Sequence, residues 1–485
     1  MISIFIGALI LSIWCVILFF GKNIGLSMLL FVVPFIYYVI HILEKNNKIE
    51  NSKAKILIIP ITLLASTYFL FNNSFFNKIN IIVIPILIII MILRLFKETF
   101  EMNLNSINKI IDLFFTPISF IGETFENLRN SFEDKLKINI DSRKEQNAKK
   151  IIKSILITLP IVLIIIILLS SADEIFGDIF INIFERIITS FTEIEIITII
   201  KKIILIICLS IYFLCFFCYI VSKHERNTIE EKTSKINDNF TIKMMLTMLN
   251  IIYLVFCYIQ IKSLFMRKVE FNYARYARQG FIQLMIVSVI NLVTIIIAKK
   301  NENADCKKEN KYINTMCLLM IVFTFIILLS SAVRMHFYES AYGYTTLRLL
   351  VYIILVTETI LLVPTLMYIN DKNINLIKTY FTIILLVYVL TNLVNTNNII
   401  TARNVNRYFE IGKIDIDYLK KEIGIDCIPK ILEILETEED FTNKELHEEI
   451  NQYIDTKITA LEQEKMDYRD VNISKMFIKN LCKTK

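Results

Sequence analysis

The chain has 485 residues, 55% of them hydrophobic and 12% aromatic, with a mean hydropathy of +0.57. Soluble domains average about 45–50% apolar residues, so this is a membrane composition, and 9 Gly with 7 Pro argue against a β-rich or low-complexity protein. The net charge of +7 is uneven: 14 Lys and Arg stand against 18 Asp and Glu from Asn395 onward, so the basic excess lies before it. Polytopic proteins are basic because their cytoplasmic loops are, so the bilayer is the implied partner and nucleic acid is not.

In chain order, apolar spans are expected at about 2–20, 24–43, 56–71, 79–96, 151–170, 199–221, 243–261, 280–298, 312–333, 348–369 and 375–394. That makes eleven, with 56–71 the shortest. The first lacks a basic leader and a small-residue cleavage site, and it reads as a retained span. Two segments do not span. Between 98 and 150, Phe100, Leu104, Ile107, Ile111 and Phe114 recur at helical spacing, followed by Ile121, Phe125, Leu128, Phe132 and Leu136. From 173 to 193, Phe176, Phe180, Phe184 and Phe191 form a stripe among acids. Both read as amphipathic helices lying in the membrane interface.

The expected architecture is thus an all-α integral membrane protein. It divides into N-terminal transmembrane helices (1–97), a cytoplasmic amphipathic segment (98–150), a transmembrane core with outer polar loops (151–394) and a C-terminal helical domain (395–485). The tail reads as short helices at 416–422, 428–437, 443–463 and 471–482. Most of the nine cysteines lie in apolar spans, and Cys215-x-x-Cys218 reads as packing.

Charge counting sets the orientation. One set of alternate connectors carries 25 Lys and Arg, the other 12. The richer set is cytoplasmic, which puts the N-terminus inside and the tail outside. Arginine follows the opposite bias. The chain has 40 Lys and 13 Arg, yet 6 of the 12 outer cations are Arg against 3 of the 25 inner ones. The planar guanidinium grips carboxylate or phosphate with two parallel hydrogen bonds.

The unusual polar residues fall in that outer set and at the start of the tail on the same side: Asp173 and Glu174, then Arg275 and Arg278, then the stretch Arg334 to Arg348 with Tyr338, Glu339 and Tyr342, then in the tail Arg403 and Arg407. Two readings stand side by side: arginines pairing with acids to lock helix ends, or an outer pocket for an anionic ligand. Glu358 lies inside an apolar span, where an ionisable group needs a partner or a water-filled cavity. It reads as a hydrogen-bonded strut or as a relay. Asp173 and Glu174 follow Ser170-Ser171 and read first as helix-capping residues, with a catalytic pair as the alternative. His336 and Glu339 are i, i+3 with no second His nearby, so no metal and no cofactor are expected.

Four stretches carry a resemblance. They are Leu168 to Phe176; Tyr276 to Leu284; Arg334 to Tyr338 with Ala341, Tyr342, Gly343 and Thr345 to Arg348; and Ala402 to Tyr408 with Gly412, Asp415, Tyr418, Asp426 and Pro429. On these the chain resembles the bacterial polytopic membrane family called domain of unknown function 4173, related to the 4153 group. Cys427 and Tyr344 depart from its pattern. The resemblance implies a multi-span membrane fold and no particular reaction. Sensing or organising something at the outer face is the leading expectation, and an enzyme is not favoured. The alternatives are transport of a small anionic or proton-coupled solute, or catalysis on a lipid-linked or anionic substrate at the outer face.

Overall fold

This computed structural model describes residues 2–96, 121–124, 128, 194–222, 239–266, 281–302, 307–437, 444–463 and 467–483. Among them every regular element is helical, and ten helices are long and apolar enough to cross a membrane. The chain is a multi-pass membrane protein. The helices are α1 (Ile2–Phe19), α2 (Leu26–Lys45), α3 (Ile58–Leu70, preceded by a 3-10 turn at Ser52–Leu57), α4 (Ser74–Phe96), α5 (Ile194–Ser222), α6 (Asn239–Met266), α7 (Phe281–Asn301), α8 (Lys307–Tyr342), α9 (Thr346–Asn370) and α10 (Leu376–Leu393). They coincide with ten of the eleven expected spans. The other, 151–170, and most of the two amphipathic segments lie outside the described residues.

The chain divides into two compact units interleaved along the sequence. The first takes Met1–Ser66, Ile81–Thr228 and Asp467–Val471; the second takes Thr67–Asn80, Ile229–Met466 and Asn472–Lys485. In the first, α1 packs on α5 and α2. At Gly7 an added Cβ would run into the Tyr38 ring, whose hydroxyl end would have to move aside. Phe31, Phe35, Phe213 and Phe217 form an aromatic layer beside it. Cys215 and Cys218 are buried free thiols in the same region. The stretch 467–471 lies along the α1–α2 connector, where Leu26 N–H donates to Val471 O at 3.2 Å and Ser27 N–H to Arg469 O at 3.1 Å.

In the second unit α6, α7 and α9 all pack on α8, and α10 packs on α9. Here the structure corrects one boundary. The polar stretch from Arg334, read as a connector, continues α8 for more than two turns to Tyr342. It contains no Gly or Pro before Gly343, so charge alone does not stop the helix. At 36 residues α8 is about 54 Å long, well beyond a hydrocarbon core of ~30 Å. Only 343–345 turn the chain, and the Thr345 hydroxyl then caps α9 by accepting from Arg348 N–H.

The tail adds α11 (Thr396–Ile411), a helical stretch from Ile416 to Cys427, α12 (Ile428–Thr437), α13 (Lys444–Gln463) and α14 (Ile473–Lys483). α11 is absent from the expected tail helices. Its N-cap is Asn395, whose side chain accepts from Asn398 N–H, and it ends on left-handed Gly412. The tail helices share one apolar core around Ile400, Val405, Leu419, Ile428 and Ile450, against which Tyr344 and Leu349 also pack. On α12, Ile428, Ile431 and Leu432 stand at i, i+3 and i+4, the stripe that faces a core.

Candidate functional site

The last turn of any helix leaves four carbonyls without intrahelical donors. At the end of α8 two arginines meet this need. Arg407, from α11, donates to Ser340 O at 3.3 Å and Ala341 O at 2.9 Å. Arg348, from the first turn of α9, donates to Tyr342 O at 3.0 Å and also to Gly343 O. Arg407 reaches further, giving a third hydrogen bond to Lys413 O at 3.1 Å, just past the end of α11. One guanidinium thus ties two helix C-termini together, each carrying the negative end of its helix dipole. A lysine ammonium has no planar fork with which to span them.

Gly343 makes this close approach workable. Its φ is +83°, and an added Cβ would meet Asn404 Oδ1 at 2.8 Å. Asn404 reads the turn as a neighbouring strand would, accepting from Tyr344 N–H at 3.0 Å and donating to Tyr344 O at 2.9 Å. The Arg348 guanidinium also lies over the Tyr338 ring at 4.5 Å, and Tyr338 packs on Tyr342 with ring centres 5.0 Å apart. Glu339 is buried and accepts from the Tyr352 hydroxyl at 2.8 Å, with His336, Arg348 and Arg403 near enough to act on its charge. Arg403 is exposed, 5.9 Å from the Tyr344 ring centre.

The structure therefore brings Tyr338, Glu339, Tyr342, Arg348, Arg403 and Arg407 together. Asp173, Glu174, Arg275 and Arg278 lie outside the described residues. Arg334 sits two turns before the end of α8 and donates to Gln260 Oε1 at 2.9 Å, an oxygen it shares with the Ser330 hydroxyl. Among the described residues, Arg348, Arg403 and Arg407 form no ion pair with an acid. Arg348 and Arg407 bond instead to backbone carbonyls. Glu358 is not part of the cluster, lying about 15 Å further along α9 from Arg348, where the Ser288 hydroxyl contacts its carboxyl.

A second polar junction escaped the sequence reading. Asn73, between α3 and α4, donates to the Thr396 hydroxyl at 2.8 Å and to Asn397 Oδ1 at 3.1 Å. Asn397 donates to Asp426 at 2.9 Å, and the Ser474 hydroxyl at the start of α14 donates to the other carboxylate oxygen at 2.7 Å. Asn472 donates to Tyr68 O and Phe71 O at 2.9 and 2.8 Å. Burial pushes the Asp426 carboxyl above the ordinary carboxylate range, with the Ser474 and Asn397 hydrogen bonds opposing it. Its neighbour Cys427 is a buried thiol pushed up to about 12, mainly by burial, so it stays protonated and unreactive. Asparagine alone gave no sign of this junction, since most loop asparagines merely turn the chain.

These polar groups fix helix ends, while Arg403, His336 and Glu410 remain exposed near Glu339 and Tyr344. Among curated proteins and among solved structures, nothing matches the chain. The family described as Domain of unknown function (DUF4153) matches residues 58–434, more than half of the chain, and the chain belongs to this family.

Proposed function

We propose that the protein senses or organises something at the outer face of a bacterial cell membrane, with its tail as a helical domain outside and its N-terminus in the cytoplasm. Within the family, we place it in the related 4173 group on the four stretches named above. The observation that carries the functional reading is Arg407, which joins the C-terminus of α8 to that of α11. A change in the tail thereby acts directly on α8, the longest of the described helices.

Topology supports the sidedness. Along α11, Asn397 meets the α3–α4 connector and Asn404 meets the α8–α9 connector. Seven residues of helix separate them, about 10 Å, against ~30 Å of hydrocarbon. Both connectors then lie at one membrane face, which requires an even number of crossings between them. The described chain there holds five helices, α4 to α8. The expected span at 151–170 would be the sixth, for eleven in all, and the charge bias of the connectors supports the shared face as the outer one.

The ligand proposed is anionic, drawn by the exposed Arg403 guanidinium. Hydrogen exchange in the full-length protein, with and without inorganic phosphate as the probe, tests the coupling. Phosphate is expected to slow exchange in α11 and in the last turns of α8, and Arg407→Ala is expected to uncouple the second effect from the first. Unchanged exchange with phosphate, or coupling that survives Arg407→Ala, contradicts the reading. The second reading, a transporter of a small anionic or proton-coupled solute, draws on Glu358 buried midway along α9. Catalysis on a lipid-linked substrate would rest on Asp173 and Glu174.

A further inference from the structure

At mid-depth in the bundle three helices bring four polar side chains together in an apolar setting. Ser288 and Asn291 lie on α7, Thr324 on α8 and Glu358 on α9. Ser288, Asn291 and Thr324 are fully enclosed and Glu358 is 5% exposed. Met285, Leu292, Leu355, Leu361 and Leu362 form the surrounding core. Among the described residues Glu358 has no Lys or Arg partner.

Counting hydrogens shows what is missing. The Thr324 hydroxyl donates to Met320 O at 2.7 Å, so its lone pairs face outward and accept from Asn291 Nδ2 at 3.0 Å. That fixes the amide, and Asn291 Oδ1 is left buried with no donor. The Ser288 hydroxyl is within reach of both Met285 O, at 2.7 Å, and the Glu358 carboxylate. It has one hydrogen for two acceptors. Ser288 and Asn291 are i, i+3, on one face of α7. The Ser288–Glu358 pair thus lies one turn of α7 from the donorless Asn291 Oδ1, in an apolar core with too few hydrogens for these oxygens. A buried oxygen without a donor and a buried charge without a partner are both costly.

We propose that Ser288, Asn291 and Glu358 form a membrane-buried site for a monovalent cation, a proton or a sodium ion. All the ligand atoms are hard oxygens, the chemistry suited to either. Glu358 supplies the compensating charge, and Asn291 Oδ1 and Ser288 Oγ supply neutral ligands. Thr324 is a positioning residue that aims the amide. Sites of this kind near the bilayer midplane bind the ions that drive conformational change. The site stands independently of whether the tail senses an anion, and binding is tested without any assay of that role.

The test uses the purified full-length protein and a hydrophobic carbodiimide, which reacts with carboxyls that carry a proton in apolar surroundings. Adducts are mapped by peptide mass. Glu358 is expected to be labelled in choline chloride, with the rate falling about tenfold per pH unit above its midpoint. If sodium is the occupant, sodium chloride slows the labelling at fixed pH and choline chloride does not. If the proton is the occupant, sodium has no effect and pH alone controls the rate. Glu358→Gln, which supplies its own hydrogens, should fold and lose any sodium-specific rise in the unfolding midpoint. The proposal is overturned if Glu358 is unlabelled at every pH with or without sodium, while wild type and Glu358→Gln respond alike to the two salts.

Discussion

Gly343 is the residue on which the end of α8 turns. Its positive φ and the 2.8 Å approach of Asn404 Oδ1 leave no room for a side chain. Gly343→Ala is expected to destabilise the protein by about 1–3 kcal/mol, read as a lower unfolding midpoint together with faster hydrogen exchange at Tyr344 and Arg348. An unchanged midpoint would mean that the turn relaxes at no cost. The arginines around it were legible in the sequence, because Arg is concentrated in one set of alternate connectors of a chain that otherwise uses Lys. Their partners were not legible. Arg348 and Arg407 bond to backbone carbonyls, and every residue carries a carbonyl, so nothing in the side-chain sequence marks the acceptors. Asn291 and Ser288 were likewise invisible, since single small polar residues in a span match ordinary helix-packing positions.

At the scale of elements, the spans were readable and their ends were not. An apolar run reports how much helix the bilayer covers, but α8 continues past its apolar run through a polar sequence with good helix formers. α11 went unread because its few apolar residues, such as Ile400, Val405 and Tyr408, make a sparse stripe among polar ones. Tertiary contacts with the tail core complete it. The docking of α14 through Ser474 and Asp426 carries a pH dependence whose sign follows from burial. The Asp426 carboxyl is raised in the folded protein, so the folded state holds its proton more tightly than the unfolded chain does. Its contribution is fully present below the ordinary Asp range, ~3.9, and is lost as pH rises through the folded value. The groups that act on this carboxyl or share its surroundings are Asn397, Ser474, Cys427, Tyr453 and Lys420. Exchange in α14, corrected for intrinsic pH effects, should accelerate across that window in the wild type. The dependence should vanish in Asp426→Asn; its persistence there would assign the effect elsewhere.

For the whole molecule, the multi-pass architecture followed from composition and span length, because a bilayer imposes both. Convergence of distant segments did not follow, since side-chain pairing between residues more than three hundred positions apart, as in Asn73 with Asn397, leaves no local pattern. The proposed sidedness would put the connector at Asn73, the connector at Gly343 and the tail on one outer face. Single cysteines at Ser74, Ser340 and Lys372, each in a background without native cysteines, test this most directly with a membrane-impermeant maleimide. Cysteines replacing Ser74 and Ser340 should label in intact cells, and the one replacing Lys372, at the far end of α9, only after lysis. Labelling of Ser74 and Ser340 positions from opposite sides would contradict the shared face, and the coupling through Arg407 would lose its outer input.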